Sequence, residues 1–462
     1  MRMPTDCLIA PIGQKSASVI KHKRHRRVGS WALLGVAMVA LLAASPSYAQ
    51  TREDVRRPGS GAAKVTGSSD DASDDQGKGD SERVDDSYQP KGIDLGSFLL
   101  LPQIENELTY NTNVFAQESS QKGDFVARIA PEFRLRSRFS NHALNFTGRV
   151  EQFLFREYTS DNHLDAVALI DGRYDIERNW EVNAFSENFR RSEDRGSPDD
   201  VGGEKPTLTF GTINRVGTKY QTGRYTFGGE FSAARRIFED VDASNGVTIN
   251  NGDRNRWEYQ ALGRGSYEMF PGYLAVVEAS ANKREYDSRL DDAGFNRSSS
   301  GYRVETGIGL DISQLVRGDF LVGYLKQDYE DPRYKDPSGL SFKATFNWTP
   351  SRITVVVPSI ERTVQETTTN LASAMIRSGA SVLVRHEYQR NIVLTGYGSV
   401  NYDEYEGINQ ASVTYEARAR VIYALAPEYY VGSEIGYRRR NSEIDGQSYG
   451  QGVLSVRFGL RM

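Results

Sequence analysis

QASVTYEARARVIY, the stretch from Gln410 to Tyr423, decides the fold class of this chain. Ala411, Val413, Tyr415, Ala417, Ala419, Val421 and Tyr423 take one set of alternate positions, and Gln410, Ser412, Thr414, Glu416, Arg418 and Arg420 take the other. Successive side chains of a strand point to opposite faces, so this segment reads as a strand with one apolar and one charged face. The same period runs through Leu164, Ala166, Ala168, Ile170, Gly172, Tyr174 and Ile176. Asp165, Asp171, Arg173 and Asp175 oppose them, with Val167 and Leu169 intruding on the polar side. From about Leu95 to Met462 the chain repeats such stretches, each roughly 10 to 15 residues long. None of it carries apolar residues at the three- and four-residue spacing of a surface helix.

Alternation also suits a soluble sandwich, so the connections discriminate. Short turns are expected at Ser140-Asn141, Glu177–Asn179, Thr222-Gly223, Phe270–Gly272, Arg317-Gly318, Pro350-Ser351, Gln389-Arg390 and Ala426-Pro427. Longer polar loops lie between them, most clearly Arg190–Pro206, Glu239–Asp253, Arg284–Asn296 and Asp328–Ser338. A strict alternation of short and long connections is the asymmetry of outer-membrane barrels, with tight periplasmic turns and long extracellular loops. Aromatic residues gather beside the expected turns: Phe139, Trp180, Tyr220, Tyr225, Tyr267, Tyr273, Phe320, Trp348, Tyr423 and Tyr429. Such rings settle at headgroup level and form a periplasmic girdle.

The last strand, Leu454, Val456, Phe458, Leu460 and Met462, is expected to pair with the first and remove both open edges. The reading predicts an all-β fold, a closed antiparallel transmembrane β-barrel of about 18 strands. It drops to 16 if Ile353–Gln365 fails to form strands, because Val355–Val357 break the alternation and Pro358 lacks a ladder donor. Both termini then face the periplasm of a Gram-negative bacterium. A barrel of that size is too wide for side chains to fill and holds water.

The chain ahead of the barrel divides in two. Lys21, Lys23, Arg24, Arg26 and Arg27 precede an apolar run, Trp31–Ala44, followed by Pro46 and Ser47-Tyr48-Ala49. A basic region, an apolar core and a small-residue cleavage site make residues 1–49 a secretory signal peptide, with an uncleaved anchor as the alternative. The run is too short to span as an ordinary transmembrane helix. Residues 50–90 are polar and acidic, with too little apolar surface to offset the entropy of ordering, and are expected to be a disordered periplasmic linker. Residues 91–462 remain for the barrel. The net charge of the whole chain is −4, and the basic leader makes the rest more acidic still, which disfavours nucleic acid as a partner. Cys7, the single cysteine, lies in the leader, so no disulfide staples the remainder.

With the apolar face outward, the inward face carries both signs of charge. Arg128, Glu132, Arg134, Arg136 and Arg138 fall on one strand, with Arg149 and Glu151 on the next. Arg303, Glu305 and Asp311 follow, then Glu416, Arg418 and Arg420, then Glu434 and Arg438 beside Arg457 and Arg461. Two readings stand: ion pairs that brace a wet wall, or a polar track for a solute. The arginines of the first strands favour an anionic or strongly hydroxylated solute. Catalysis has little support. Beyond the leader only His142, His163 and His386 occur, beside turns or loops, with no metal-ligand or nucleophile pattern near them. The acid pairs Asp291-Asp292 and Glu330-Asp331 read as solvated loop residues. No enzyme activity, cofactor or metal is expected.

The entry segment carries a resemblance. Gly92-Ile93-Asp94-Leu95-Gly96-Ser97-Phe98, then Leu101-Pro102, then Tyr110-Asn111-Thr112-Asn113-Val114-Phe115 resemble the family described as Putative beta-barrel porin 2. The resemblance implies a large outer-membrane pore. It also implies export of an exopolysaccharide or capsular polysaccharide, with a periplasmic polysaccharide-export protein as partner, besides membrane lipid and lipopolysaccharide. The alternation and girdle by themselves imply only a pore. A general or substrate-selective diffusion porin for small polar solutes is the alternative, and an adhesive barrel is a third. A diffusion porin usually folds a long loop into its lumen, a role open to Arg190–Pro206 or Glu239–Asp253.

Overall fold

The computed structural model describes residues 88–462 apart from 199, 244, 313–314 and 368–371. The leader 1–49 and all but the end of the linker 50–90 lie outside the described residues. Eighteen long strands follow one another. They are β1 Phe98–Asn111, β2 Asp124–Ser137, β3 Ala143–Phe155, β4 His163–Glu177, β5 Trp180–Ser192 and β6 Leu208–Thr222. Next come β7 Tyr225–Phe238, β8 Arg256–Phe270, β9 Tyr273–Tyr286, β10 Ser299–Ile312, β11 Val316–Tyr329 and β12 Ser338–Ser351. The last six are β13 Thr354–Gln365, β14 Ala374–Gln389, β15 Ile392–Glu406, β16 Ala411–Ala426, β17 Tyr429–Ser442 and β18 Tyr449–Arg461. Each pairs antiparallel with the next, and β18 pairs back onto β1 from Gln103↔Arg461 to Asn111↔Val453. The barrel closes. Closure satisfies every strand edge internally, which lipid requires because it offers no hydrogen bonds.

Burial is inverted relative to a soluble domain. Phe231, Ile435 and Val456 are more than half exposed, whereas Arg256, Arg440, Glu105 and Glu305 are fully buried. The apolar alternate positions face out and the charged ones face in, as the stretch in β16 requires. Phe139, Trp180, Tyr267, Tyr273, Trp348, Tyr423 and Tyr429 all stand exposed on the outer surface at the turn end. A second aromatic ring, which the sequence reading missed, stands at the loop end. Tyr110 packs on Phe125 at 4.9 Å and Tyr302 lies 6.4 Å from Tyr324, with Tyr402, Tyr415 and Tyr437 exposed at the same level. On β16 the two rings, Tyr415 and Tyr423, bracket Ala417, Ala419 and Val421. Their separation along the strand is roughly 26 Å at about 3.3 Å per residue. With the usual strand tilt that is roughly 20 Å along the membrane normal, the span of apolar positions lying inside a band about 25 Å tall.

The family-like motifs meet at the seam between first and last strands. Gly92 and Gly96 adopt positive φ of 72° and 74°, and the Gly96 N–H donates to Asp94 Oδ1 at 2.8 Å. This turn folds Ile93–Asp94 onto Leu99–Leu100, covering the part of β1 that β18 does not reach. At the other end of the seam Asn113, fully buried, donates to the carbonyls of Gln117 (2.7 Å) and Gly450 (3.0 Å). Both ends of the closing joint are thereby locked.

Several expectations need correction. Arg317-Gly318 and Pro350-Ser351 are strand; β10 ends at Ile312 and β11 begins at Val316, and the second turn falls at 352–353. Lengths do not alternate strictly, since the turn 138–142 is longer than the loop 407–410. The strands run further into the loops than polarity suggests, because charged inward positions near the loop end are held by ion pairs. Ile353–Gln365 does supply a strand, β13, but its ladder to β12 breaks between Thr345↔Ser359 and Trp348↔Val356, around Pro358.

Candidate functional site in the barrel lumen

Register fixes which side chains share the lumen, because residues opposite each other in a ladder point to the same face. Across β2 and β3 the pairs Glu132↔Arg149 and Arg134↔Thr147 face in, and Arg136 faces in opposite Asn145. Arg128 and Glu151 join them. Arg303 and Glu305 face in from β10, Glu416, Arg418 and Arg420 from β16, and Glu434 and Arg438 from β17. Arg138 does not line the lumen wall. It stands past the end of β2 in the turn, half exposed, paired with Asp94.

Most of these residues form one continuous network across six neighbouring strands. Arg128 is its hub, contacting Glu105, Glu107 at 2.6 Å and Glu151 at 2.9 Å. Arg149 links Glu151 (2.9 Å) to Glu132 (3.6 Å), and Glu132 accepts from Arg134 at 3.3 Å. On the other side of β1, Arg457 bridges Glu107 (3.4 Å) and Glu434 (3.2 Å), and Arg420 Nε reaches Glu434 at 2.7 Å. Glu416 is shared between Arg418 and Arg438. Arg134 and Arg149 are thus neutralised in place by Glu132 and Glu151, and Arg128 by Glu151 together with Glu105 and Glu107, which the sequence reading overlooked. Their signal was present: Gln103, Glu105, Glu107 and Thr109 form a polar face at period two in β1. Arg303 lies apart, donating to Thr363 at 3.0 Å, and Glu305 accepts from Ser341.

The opposite wall is different. On β6 and β7 the inward Arg215, Lys219 and Glu230 make no ion pair among the described residues, although they sit on adjacent strands. The Arg215 guanidinium lies 5.0 Å over the inward ring of Phe185. Nearer the loop end the wall is paired again, with Arg256 Nε to Glu258 at 2.7 Å and Arg191 to Glu187.

The loop 193–207, between β5 and β6, joins the two walls. Asp194 pairs with inward Arg438 of β17 at 2.9 Å, and the Tyr449 hydroxyl of β18 donates to the Gly196 carbonyl at 2.9 Å. In the closed sheet β1–β4 separate β5 from β18, and both anchors are inward residues, so the loop crosses inside the barrel. Gly196 permits the approach, since a Cβ there would lie 2.5 Å from the Tyr449 hydroxyl. Arg195 holds Asp161 of the β3–β4 loop through two hydrogen bonds, 3.0 and 2.8 Å. Glu193 pairs with Arg254 of the β7–β8 loop at 3.0 Å, and the Glu204 N–H donates to the Asp242 carbonyl at 2.7 Å. The crossing loop is therefore fastened on four sides. Glu239–Asp253, the other loop of interest, serves as one of its supports.

Charge in this loop is tuned by its surroundings. Burial pushes the Asp194 carboxyl up, but Arg438 and the Gly196 N–H outweigh it and hold it below its ordinary range. Burial pushes Asp200 up to about 7; Arg195 opposes the shift and Glu193 adds to it. Burial likewise raises Glu193, against the pull of Arg254.

A closed barrel with an inverted burial pattern, two aromatic girdles and a charged interior crossed by a loop defines a membrane channel of the outer-membrane type. The chain belongs to the family described as Putative beta-barrel porin 2, whose match covers residues 86–462. No curated protein matches it. Among solved structures it is similar to OccK3 (OpdO) of Pseudomonas aeruginosa, at 11% identity and a TM-score of 0.38, over 79% of this chain and 96% of that one. OccK1 (OpdK) of the same organism matches at 7% identity and a TM-score of 0.41, over 79% and 99%. The ferric enterobactin receptor PfeA of that organism matches at 6% identity and a TM-score of 0.40, over 81% and 82%.

Proposed function

We propose that this protein is a substrate-selective diffusion porin for small polar solutes, set in the outer membrane with its short turns and both termini on the periplasmic side. The observation that carries the reading is the loop 193–207, anchored across the lumen by Asp194–Arg438 and Tyr449–Gly196. A narrowing held by several ion pairs and hydrogen bonds suits the sieving of small molecules. It suits a bulky hydrated polymer poorly, because passage would require breaking the fastenings at every turnover. The ion-paired Arg128, Arg134 and Arg149 also weaken the case for a track that draws an anionic polysaccharide. Lipid and lipopolysaccharide would meet the outer aromatic and apolar surface. The test compares a deletion strain with its parent. Reduced uptake of small polar solutes with normal surface polysaccharide is expected; lost polysaccharide with unchanged uptake would restore polymer export.

A further inference from the structure

We propose that the notch around Gly217 is a binding site for small zwitterions, solutes that carry an ammonium and a carboxylate a few ångströms apart. The proposal rests on the diffusion-porin reading and narrows it to a solute class. In the β6–β7 ladder Arg215 opposes Ser232, Gly217 opposes Glu230 and Lys219 opposes Gly228. All six face the lumen. Arg215 and Glu230 are thus diagonal neighbours, with Cα atoms about 7 to 8 Å apart in an antiparallel pair.

Elsewhere on the inner wall such diagonal neighbours pair, as Arg457 does with Glu434 and Arg128 with Glu105. Arg215 and Glu230 form neither an ion pair nor a hydrogen bond with each other. The geometry explains why. The Arg215 guanidinium sits over the Phe185 ring instead, a cation–π contact that engages it without using its N–H groups in an ion pair. Gly217 and Gly228 add no side chains between the charges, and a Cβ at Gly217 would meet no side-chain atom closer than 3.8 Å. Arg215, Glu230 and Ser232 line the near side of a cavity that continues past Gln260 to Glu258 and Glu278.

An ammonium donates to a carboxylate, and a guanidinium donates in bidentate fashion to another carboxylate. A zwitterion bridging Arg215 and Glu230 satisfies both at once, whereas an anion or a cation alone satisfies one and is repelled by the other. Because the site is open to water, such contacts are shallow, as passage requires.

The test uses the full protein reconstituted in liposomes, with swelling followed in glycylglycine and in arabinose, an uncharged solute of similar size. Glycylglycine is expected to enter several-fold faster than arabinose. Glu230→Gln and Arg215→Gln, each checked for assembly by heat-dependent gel mobility, should each bring the ratio close to unity. A ratio near unity in the wild type, or one that survives both substitutions, overturns the zwitterion site while leaving the porin reading intact. Entry of neither solute overturns both.

Discussion

Two patches of the inner wall differ in what becomes of their charges. From β16 through β18 to β3, arginines and glutamates lock one another across six strands, and Arg128 alone contacts three carboxylates. On β6 and β7, Arg215, Lys219 and Glu230 stand in the same lumen without ion pairs. The first arrangement stabilises the barrel where its ends must join. The second leaves charge available to something that passes. A charged residue facing a lumen is therefore not a contact for solute by that fact; what matters is whether the wall has already satisfied it.

The largest expected contrast is in stability. Arg128→Ala leaves buried Glu105 and Glu107 with Arg457 as their remaining arginine, and removing one partner of a buried network costs about 3 to 5 kcal/mol. Arg215→Ala should stay within about 0.5 kcal/mol, as expected for a site without such pairing. Denaturant unfolding in detergent micelles measures both. Similar losses for the two variants would erase the distinction between the walls.

A somewhat smaller effect tests the division between inside and outside on which both walls depend. Ala417 lies between the girdles on the outer face of β16. Ala417→Arg is expected to cost about 2 to 4 kcal/mol and to reduce the heat-modifiable, assembled fraction. Normal assembly would mean that this face does not meet lipid.

The smallest effect is a pH dependence of the loop that spans the walls. Asp200, pushed up to about 7, binds its proton more tightly in the folded loop than its ordinary value of 3.8 allows. The fastened loop therefore gains stability as pH falls from 7 toward 4, and loses that gain as pH rises through 7. Asp194, held low by Arg438, stays ionised throughout this window, so the cross-lumen pair persists. Channel current should be lower at pH 5 than at pH 8, and Asp200→Asn should flatten the difference. A pH response unchanged by Asp200→Asn would assign it to another group.

Much of the barrel was legible in the sequence because a strand between lipid and water has only one workable pattern. β16 shows it most plainly, and the turn-end aromatics follow from where rings settle in a bilayer. What polarity could not place were strand ends, because residues such as Arg256 and Arg284 look like loop yet are buried and paired. The facing of Arg128 or Glu434 could be read by counting in twos. Their pairing could not, since it depends on register between strands that are distant in sequence, such as Glu107 of β1 and Arg457 of β18. The loop 193–207 was visible as long and polar. That it crosses the lumen depends on Arg438 and Tyr449, more than two hundred residues away. Arg215 and Glu230 were not legible for a different reason: their distinction lies in the ion pair they do not make with each other, which only the register shows.

The central claim is that this loop narrows the pore, and single-channel conductance in a planar bilayer tests it most directly. The wild type should show a small, uniform conductance. The double variant Arg438→Ala/Tyr449→Phe, which removes both cross-lumen anchors, should conduct several-fold more and admit larger sugars. Equal conductance in the two proteins, with both fully assembled, would contradict the account.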